Sequence, residues 1–185
     1  MGSISRRIFM AGALAPVALA ACGNGIGSQA AAEIDARSTA ALNYLYSSYP
    51  GTQGLAQRAS GVLVMPLMTK VGLGLGGTYG RGALRVGETT VDYYSAASAS
   101  AGIQIGAQQY SHVLFFMTPE ALAEFRASPG WVAGAGIDYA IATEGETLLA
   151  DTTTSLSPVI AVIFGQSGLR LGATVEGTKY TRIIP

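Results

Sequence analysis

The spacing of hydrophobic and polar positions changes period once along the chain. Between residues 33 and 49, Ile34, Ala41, Leu42, Leu45, Tyr46 and Tyr49 recur at roughly helical spacing, separated by Asp35, Arg37, Ser38 and Asn43. That spacing predicts an amphipathic helix, ended by Pro50-Gly51. A second short helix is expected over residues 52–59, carrying Leu55 and Arg58. Beyond Gly61 the period falls to two. Val62-Leu63-Val64 reads as a short buried strand that stops at Pro66, because proline brings no N–H to a ladder. Val71, Leu73 and Leu75 alternate with Gly72, Gly74 and Gly76, so one face of that segment lacks side chains.

Residues 79–86 and 89–94 are expected strands joined by a turn at Gly87-Glu88. Ile103, Ile105 and Ala107 alternate with Gly102, Gln104 and Gly106, and residues 113–117 read as a central strand. Thr118-Pro119-Glu120 opens a helix, with Thr as N-cap, Pro at the first helical position, and Leu122 and Phe125 as the apolar stripe. Residues 159–164, 169–175 and 179–184 are three further strand candidates. The pattern predicts one α+β domain: N-terminal helices followed by a Gly-rich, mostly antiparallel sheet that curls towards a barrel.

The first residues follow a different logic. Ser-Arg-Arg-Ile-Phe-Met at 5–10 leads into an apolar run from Ile8 to Ala21 without a charge. That run is shorter than the ~20 residues a spanning helix needs, and it fits the core of a signal peptide. It ends Leu19-Ala20-Ala21-Cys22, the form of a bacterial lipobox, whose cysteine is acylated. A plain signal peptide with a coincidental cysteine is the alternative. The paired arginines resemble a twin-arginine export signal and also occur in general secretory signals. Residues 1–21 are therefore expected to be the signal peptide, 22–32 a lipidated tether and 33–185 the domain. Gly23, in place of an aspartate resembling an inner-membrane retention signal, favours the outer membrane.

Composition narrows the function. The 185 residues carry 11 basic and 11 acidic side chains, and cleavage before Cys22 removes Arg6 and Arg7, leaving 9 against 11, a net charge of −2. Without a basic run, nucleic acid is not an expected partner. One Cys and one His cannot build a disulfide or a zinc site, and no metal or cofactor is expected.

Catalytic patterns are missing. Gly72-Leu-Gly74-Leu-Gly76-Gly77 has the letters of a dinucleotide fingerprint, but strand-like alternation follows it where a helix N-terminus is required. Gly165-Gln166-Ser167-Gly168 lacks the spacing of a nucleophile elbow. His112 beside an apolar strand reads as a structural hydrogen-bonding residue. Glu144 and Glu146 are the closest loop pair of acids, and Trp131 and the tyrosines read as core and rim. No catalytic residue is assigned. The glycine-alternating face admits either a second backbone or a ligand directly onto the sheet. Around it lie Lys70, Arg81 and Arg85, which read either as an anion site or as a solvated edge.

The same residues carry a resemblance. The stretch GVLVMPLMTKVGLGLGGTYGRG at 61–82 is similar to the SYLF-domain family in its strand ending at a proline, its lysine before a glycine and its repeated glycines. The likeness continues through Ser100-Ala-Gly-Ile-Gln-Ile-Gly-Ala and returns in Gly165-Gln-Ser-Gly-Leu-Arg-Leu-Gly-Ala-Thr-Val-Glu-Gly177, covering most of residues 40–184 in order. The resemblance implies lipid binding, with Lys70 carried over by position. Eukaryotic members bind phosphoinositides, and bacterial members look like envelope lipoproteins. The chain departs from the family in two places: it lacks a basic amphipathic N-terminal helix, and Thr143-Glu144-Gly145 stands where a Gly-Pro is usual.

The reading is thus an outer-membrane lipoprotein, anchored through Cys22, whose domain binds anionic lipid head groups through Lys70, Arg81 and Arg85. Membrane lipids are the expected partners. A structural envelope lipoprotein that binds another protein is the alternative, with an enzyme of unrecognised type behind it. A transmembrane barrel is disfavoured because the strands read as shorter than the ~9–11 residues a span requires, and because the chain ends in Pro185 rather than an aromatic.

Overall fold

The structure, a computed structural model, describes residues 25, 27–134, 137–139, 157–165, 168–169 and 175–185. The expected signal peptide, Cys22, Glu144, Glu146 and most of the expected strand at 169–175 lie outside the described residues. Two helices, α1 (Gln29–Ser48) and α2 (Gly51–Arg58), precede β1 (Gly61–Val86) and β2 (Thr89–Phe116). Then come α3 (Pro119–Ala127), β3 (Trp131–Val132), β4 (Asp138–Tyr139), β5 (Val159–Gly165), β6 (Gly168–Leu169) and β7 (Lys179–Ile183). The described strands form one seven-stranded sheet curled into a half-barrel, ordered β3-β7-β2-β5-β4, with β1 on β2 and β6 on β5. Every pairing is antiparallel except β4 with β5. The α+β prediction holds.

Helix α1 begins at Gln29, ahead of the expected start at Glu33. Ser28 caps it by accepting from the Ala31 N–H at 3.0 Å, and the alanines at 30–32 favour helix without supplying the polar contrast that marks a periodic start. Ser28 also donates to the Pro185 carbonyl at 3.2 Å, which accepts from the Gly25 N–H at 2.8 Å as well. The C-terminal part of the expected tether is therefore docked on the domain. Helix α3 forms as read, capped by Thr118 through the Ala121 N–H.

The several short strands expected between residues 62 and 117 are instead one long hairpin. Pro66 does not stop β1. Three steps from Met65 to Met68 oppose two steps from His112 to Tyr110, so Pro66 falls in a bulge where no ladder N–H is required. Ser111 Oγ donates to the Pro66 carbonyl at 2.7 Å and holds the bulge. At the hairpin turn, Gly87 has φ 60°, as the first central position of a two-residue type II′ turn demands. Strand length consequently gives no case against a membrane barrel, since β1 and β2 run to 26 and 28 residues. Protein covers both faces of the sheet around Val62–Met65 nonetheless. No helix among the described residues is long and apolar enough to cross a membrane.

Strand β1 also doubles back on itself. A Cβ on Gly82 would overlap the Val64 carbonyl oxygen, one on Gly80 would lie 2.5 Å from the Leu67 carbonyl oxygen, and one on Gly61 would lie 3.4 Å from that of Arg85. The first and last stretches of the strand thus run past each other. A second backbone, not a ligand, occupies the side-chain-free face at Gly80 and Gly82. Two layers pack against the sheet. Leu42, Leu45 and Leu55 of the helices cover Val62, Val64, Val113, Phe115, Val162 and Phe164. On the other face Phe125 of α3 and Tyr180 of β7 close over Leu63, Met65, Leu84 and Leu114. Each large apolar side chain so buried contributes ~1.5–3 kcal/mol.

Candidate functional site

Arg85 sits where β1 meets α1. Between Leu84 and Arg85 the register shifts, Leu84 opposing Asp92 and Arg85 opposing Thr90, so β2 carries an extra residue there. Such bulges re-aim the flanking side chains. Here they set Arg85, Thr90 and Tyr93 around Asp35 of α1. Arg85 Nη2 donates to the Asp35 carbonyl at 3.2 Å and to Thr39 Oγ1 at 2.7 Å. The Asp35 carboxylate accepts from Thr90 Oγ1 at 2.8 Å and from the Tyr93 hydroxyl at 2.7 Å. Burial pushes the Tyr93 hydroxyl up to about 12, and the bond to the Asp35 carboxylate adds to the rise.

The Arg85 guanidinium therefore has neutral acceptors only. No carboxylate lies within ion-pair distance of it among the described residues, and its buried Nε has no hydrogen-bond partner. A half-buried cation in this state is poised for an anion, because an unmet buried donor costs ~1–3 kcal/mol. Arg85 lines a groove of about 470 Å³ between α1, α2 and the start and turn of the hairpin. Leu42, Tyr46, Ala59 and Val62 supply apolar lining, and Asn43, Gln57 and Glu88 are polar. Burial raises the Tyr46 hydroxyl above its ordinary range, against the opposing pull of the Arg85 charge.

The three cations singled out in the sequence do not form one cluster. Arg81 and Arg85 share a face, in phase with Ala83, and Arg81 is exposed. Lys70 is in phase with Met68 on the opposite face. Gly61 lies beside Arg85 and Lys70 is nine residues further along the strand, a path of at most ~30 Å at ~3.3 Å per residue. Of the other cations, Arg126 and Arg182 pair with Asp92 and Arg37 pairs with Glu33. Lys70, Arg81 and Arg85 have no ion pair among the described residues.

His112 is fully buried, with Nε2 at 2.8 Å from the Tyr180 hydroxyl, and burial lowers its pKa to about 3. It is a neutral structural residue, surrounded by rings rather than by an open cleft. Trp131 packs on Phe125 and Tyr180 at the edge of that aromatic core. Residues 72–77 continue as strand, with no helix after the glycines to hold a dinucleotide. Among the described residues no three His, Cys, Asp or Glu side chains gather as a metal site.

Residues 97–182 match the Ysc84 family model, described as Las17-binding protein actin regulator. The SYLF resemblance is borne out over this segment. The SYLF match runs from within β2 to Arg182 of β7 and covers a little under half of the 185 residues. Its description names binding and regulation. Lys70, Arg81, Arg85 and the groove helices all precede the matched residues. No curated protein matches the chain. Sequence reasoning missed Asp35, Thr39 and Glu88. Their spacing carries no signal, since the first two meet Arg85 across 50 and 46 positions.

Proposed function

We propose that the protein is an outer-membrane lipoprotein, exported by residues 1–21 and acylated at Cys22, whose SYLF-like domain binds lipid head groups by their phosphate and favours anionic surfaces. The observation that carries this reading is Arg85, a half-buried guanidinium at a groove with an unpaired Nε–H and no neutralising carboxylate within ion-pair distance among the described residues. Guanidinium is the side chain best matched to phosphate oxygens. Lys70 and Arg81 act as peripheral cations, each worth ~1 kcal/mol near an anionic surface and screened by salt. The family match supports a binding role, for lipid or for protein.

The anchor makes a weak site sufficient. Six Cα–Cα steps separate Cys22 from Ser28, a reach of at most ~20 Å, which keeps the α1 end of the domain close to the bilayer. Tethering raises the local head-group concentration by the same arithmetic that governs linked binding modules. The test is co-sedimentation of the purified protein, carrying Cys22→Ser, with vesicles at low salt. It pellets with vesicles containing an anionic phospholipid more than with phosphatidylcholine alone, and Lys70→Ala/Arg81→Ala/Arg85→Gln abolishes that difference. Equal pelleting of the folded variant would transfer the role to protein binding.

A further inference from the structure

We propose that the Arg85 groove takes a zwitterionic phosphoester, a phosphate joined by a short link to a primary ammonium as in phosphoethanolamine, and that Glu88 holds the ammonium. This rests on the head-group reading above and names the class of ligand. Arg85 and Glu88 line the same groove. They carry opposite charges three positions apart, yet they do not come within ion-pair distance of each other. The Arg85 guanidinium and the Glu88 backbone are each fixed in place. Arg85 Nη2 is committed to the Asp35 carbonyl and Thr39 Oγ1, which keeps the guanidinium against α1. Glu88 is the second residue of the tight turn closed by the pairing of Val86 with Thr89, and Gly87 at φ 60° fixes that turn.

Two opposite charges that line one groove without pairing with each other recognise a ligand that carries both. A phosphate monoanion without an ammonium satisfies Arg85 and is repelled by Glu88. A zwitterion satisfies both, and a primary ammonium also donates hydrogen bonds that a quaternary one lacks. Leu42, Ala59 and Val62 line the remaining wall, suited to the glycerol carbons and first methylenes of a lipid. The volume of about 470 Å³ admits such a head group and lies in the range of small-molecule sites.

The probes are soluble glycerophosphoethanolamine, glycerophosphocholine and glycerol phosphate, titrated by NMR into the purified mature protein, residues 22–185, with Cys22→Ser. Glycerophosphoethanolamine is expected to bind about threefold to fivefold more tightly than glycerol phosphate, the scale of one exposed ion pair. Glu88→Gln, an exposed turn substitution, is expected to erase or reverse that preference while phosphate binding remains. Vesicles of phosphatidylethanolamine in phosphatidylcholine separate the sources. Binding that follows the ethanolamine lipid assigns the membrane, and binding confined to the soluble compound assigns a free phosphoester; both keep the zwitterion. Equal wild-type affinities for glycerophosphoethanolamine and glycerol phosphate, or a preference that survives Glu88→Gln, would overturn the proposal and leave the phosphate reading standing. Binding of none of the probes would overturn both.

Discussion

Gly82 lies against the Val64 carbonyl so closely that no side chain fits between them. That contact brings the first and last stretches of one strand against each other. Gly82→Ala is expected to destabilise the protein by at least ~1–3 kcal/mol, the cost of overpacking a filled core. Gly54 gives the contrasting case, being in helix α2 with open space around the position of a Cβ. Gly54→Ala should stabilise by ~0.5–1 kcal/mol. Chemical denaturation of both variants checks the pair, and equal effects would contradict the close approach at Gly82.

Acid stability is expected to depend on His112. Its folded pKa is about 3, depressed by burial below the ordinary 6.5. Between those values the unfolded chain binds a proton that the folded chain refuses, so this contribution lowers stability as pH falls from 6.5 towards 3 and is absent above 6.5. At pH 5 the loss amounts to ~2 kcal/mol, at 1.36 kcal/mol per pH unit. Unfolding free energies measured from pH 7 to pH 4 should show this slope, and a folded His112→Gln variant should lack it.

Asp35 is expected to govern the docking of α1. Its carboxylate accepts from Thr90 and Tyr93 and its carbonyl accepts from Arg85. Hydrogen bonds to a charged group contribute ~1.5–3 kcal/mol each, and Asp35→Ala leaves two partly buried hydroxyls without their acceptor. Amide hydrogen exchange should accelerate in α1 ahead of β2. Uniform acceleration across both elements would mean that α1 does not open on its own.

Attachment to the membrane is expected to depend on Cys22. One acyl chain holds only reversibly, whereas two or more hold stably, at ~0.8 kcal/mol for each buried CH₂. Cys22→Ser should release the protein to the soluble fraction after a salt wash. Continued retention would make the domain itself the anchor.

Much of the fold was legible where the signal was local. Thr118-Pro119 announced α3 because capping chemistry lies within one turn of helix. The phase of Arg81 and Arg85 followed from strand alternation alone. The continuity of β1 was not legible, because Pro66 and the glycines at 72–77 are breakers in isolation. A bulge opposite His112 and Tyr110, more than 40 positions away, makes Pro66 harmless. The same holds for the site. Strand phase could place Arg85 on a face, but only the packing of α1 decides that its charge is sheltered, partly hydrogen-bonded and left without an ion pair among the described residues.

The hydrogen bonds of Gly25 and Ser28 to Pro185 also determine how tension enters the domain. A pull on the residues before Gly25 is first resisted at that corner, which links the start of α1 to the segment following β7. Because β7 is laddered to the first third of β2, from Tyr93 to Ala97, part of the load passes into the longest strand of the sheet. Peeling of the helix and shearing of the ladder are then coupled, so the corner acts as a mechanical clamp between the two ends of the described fold.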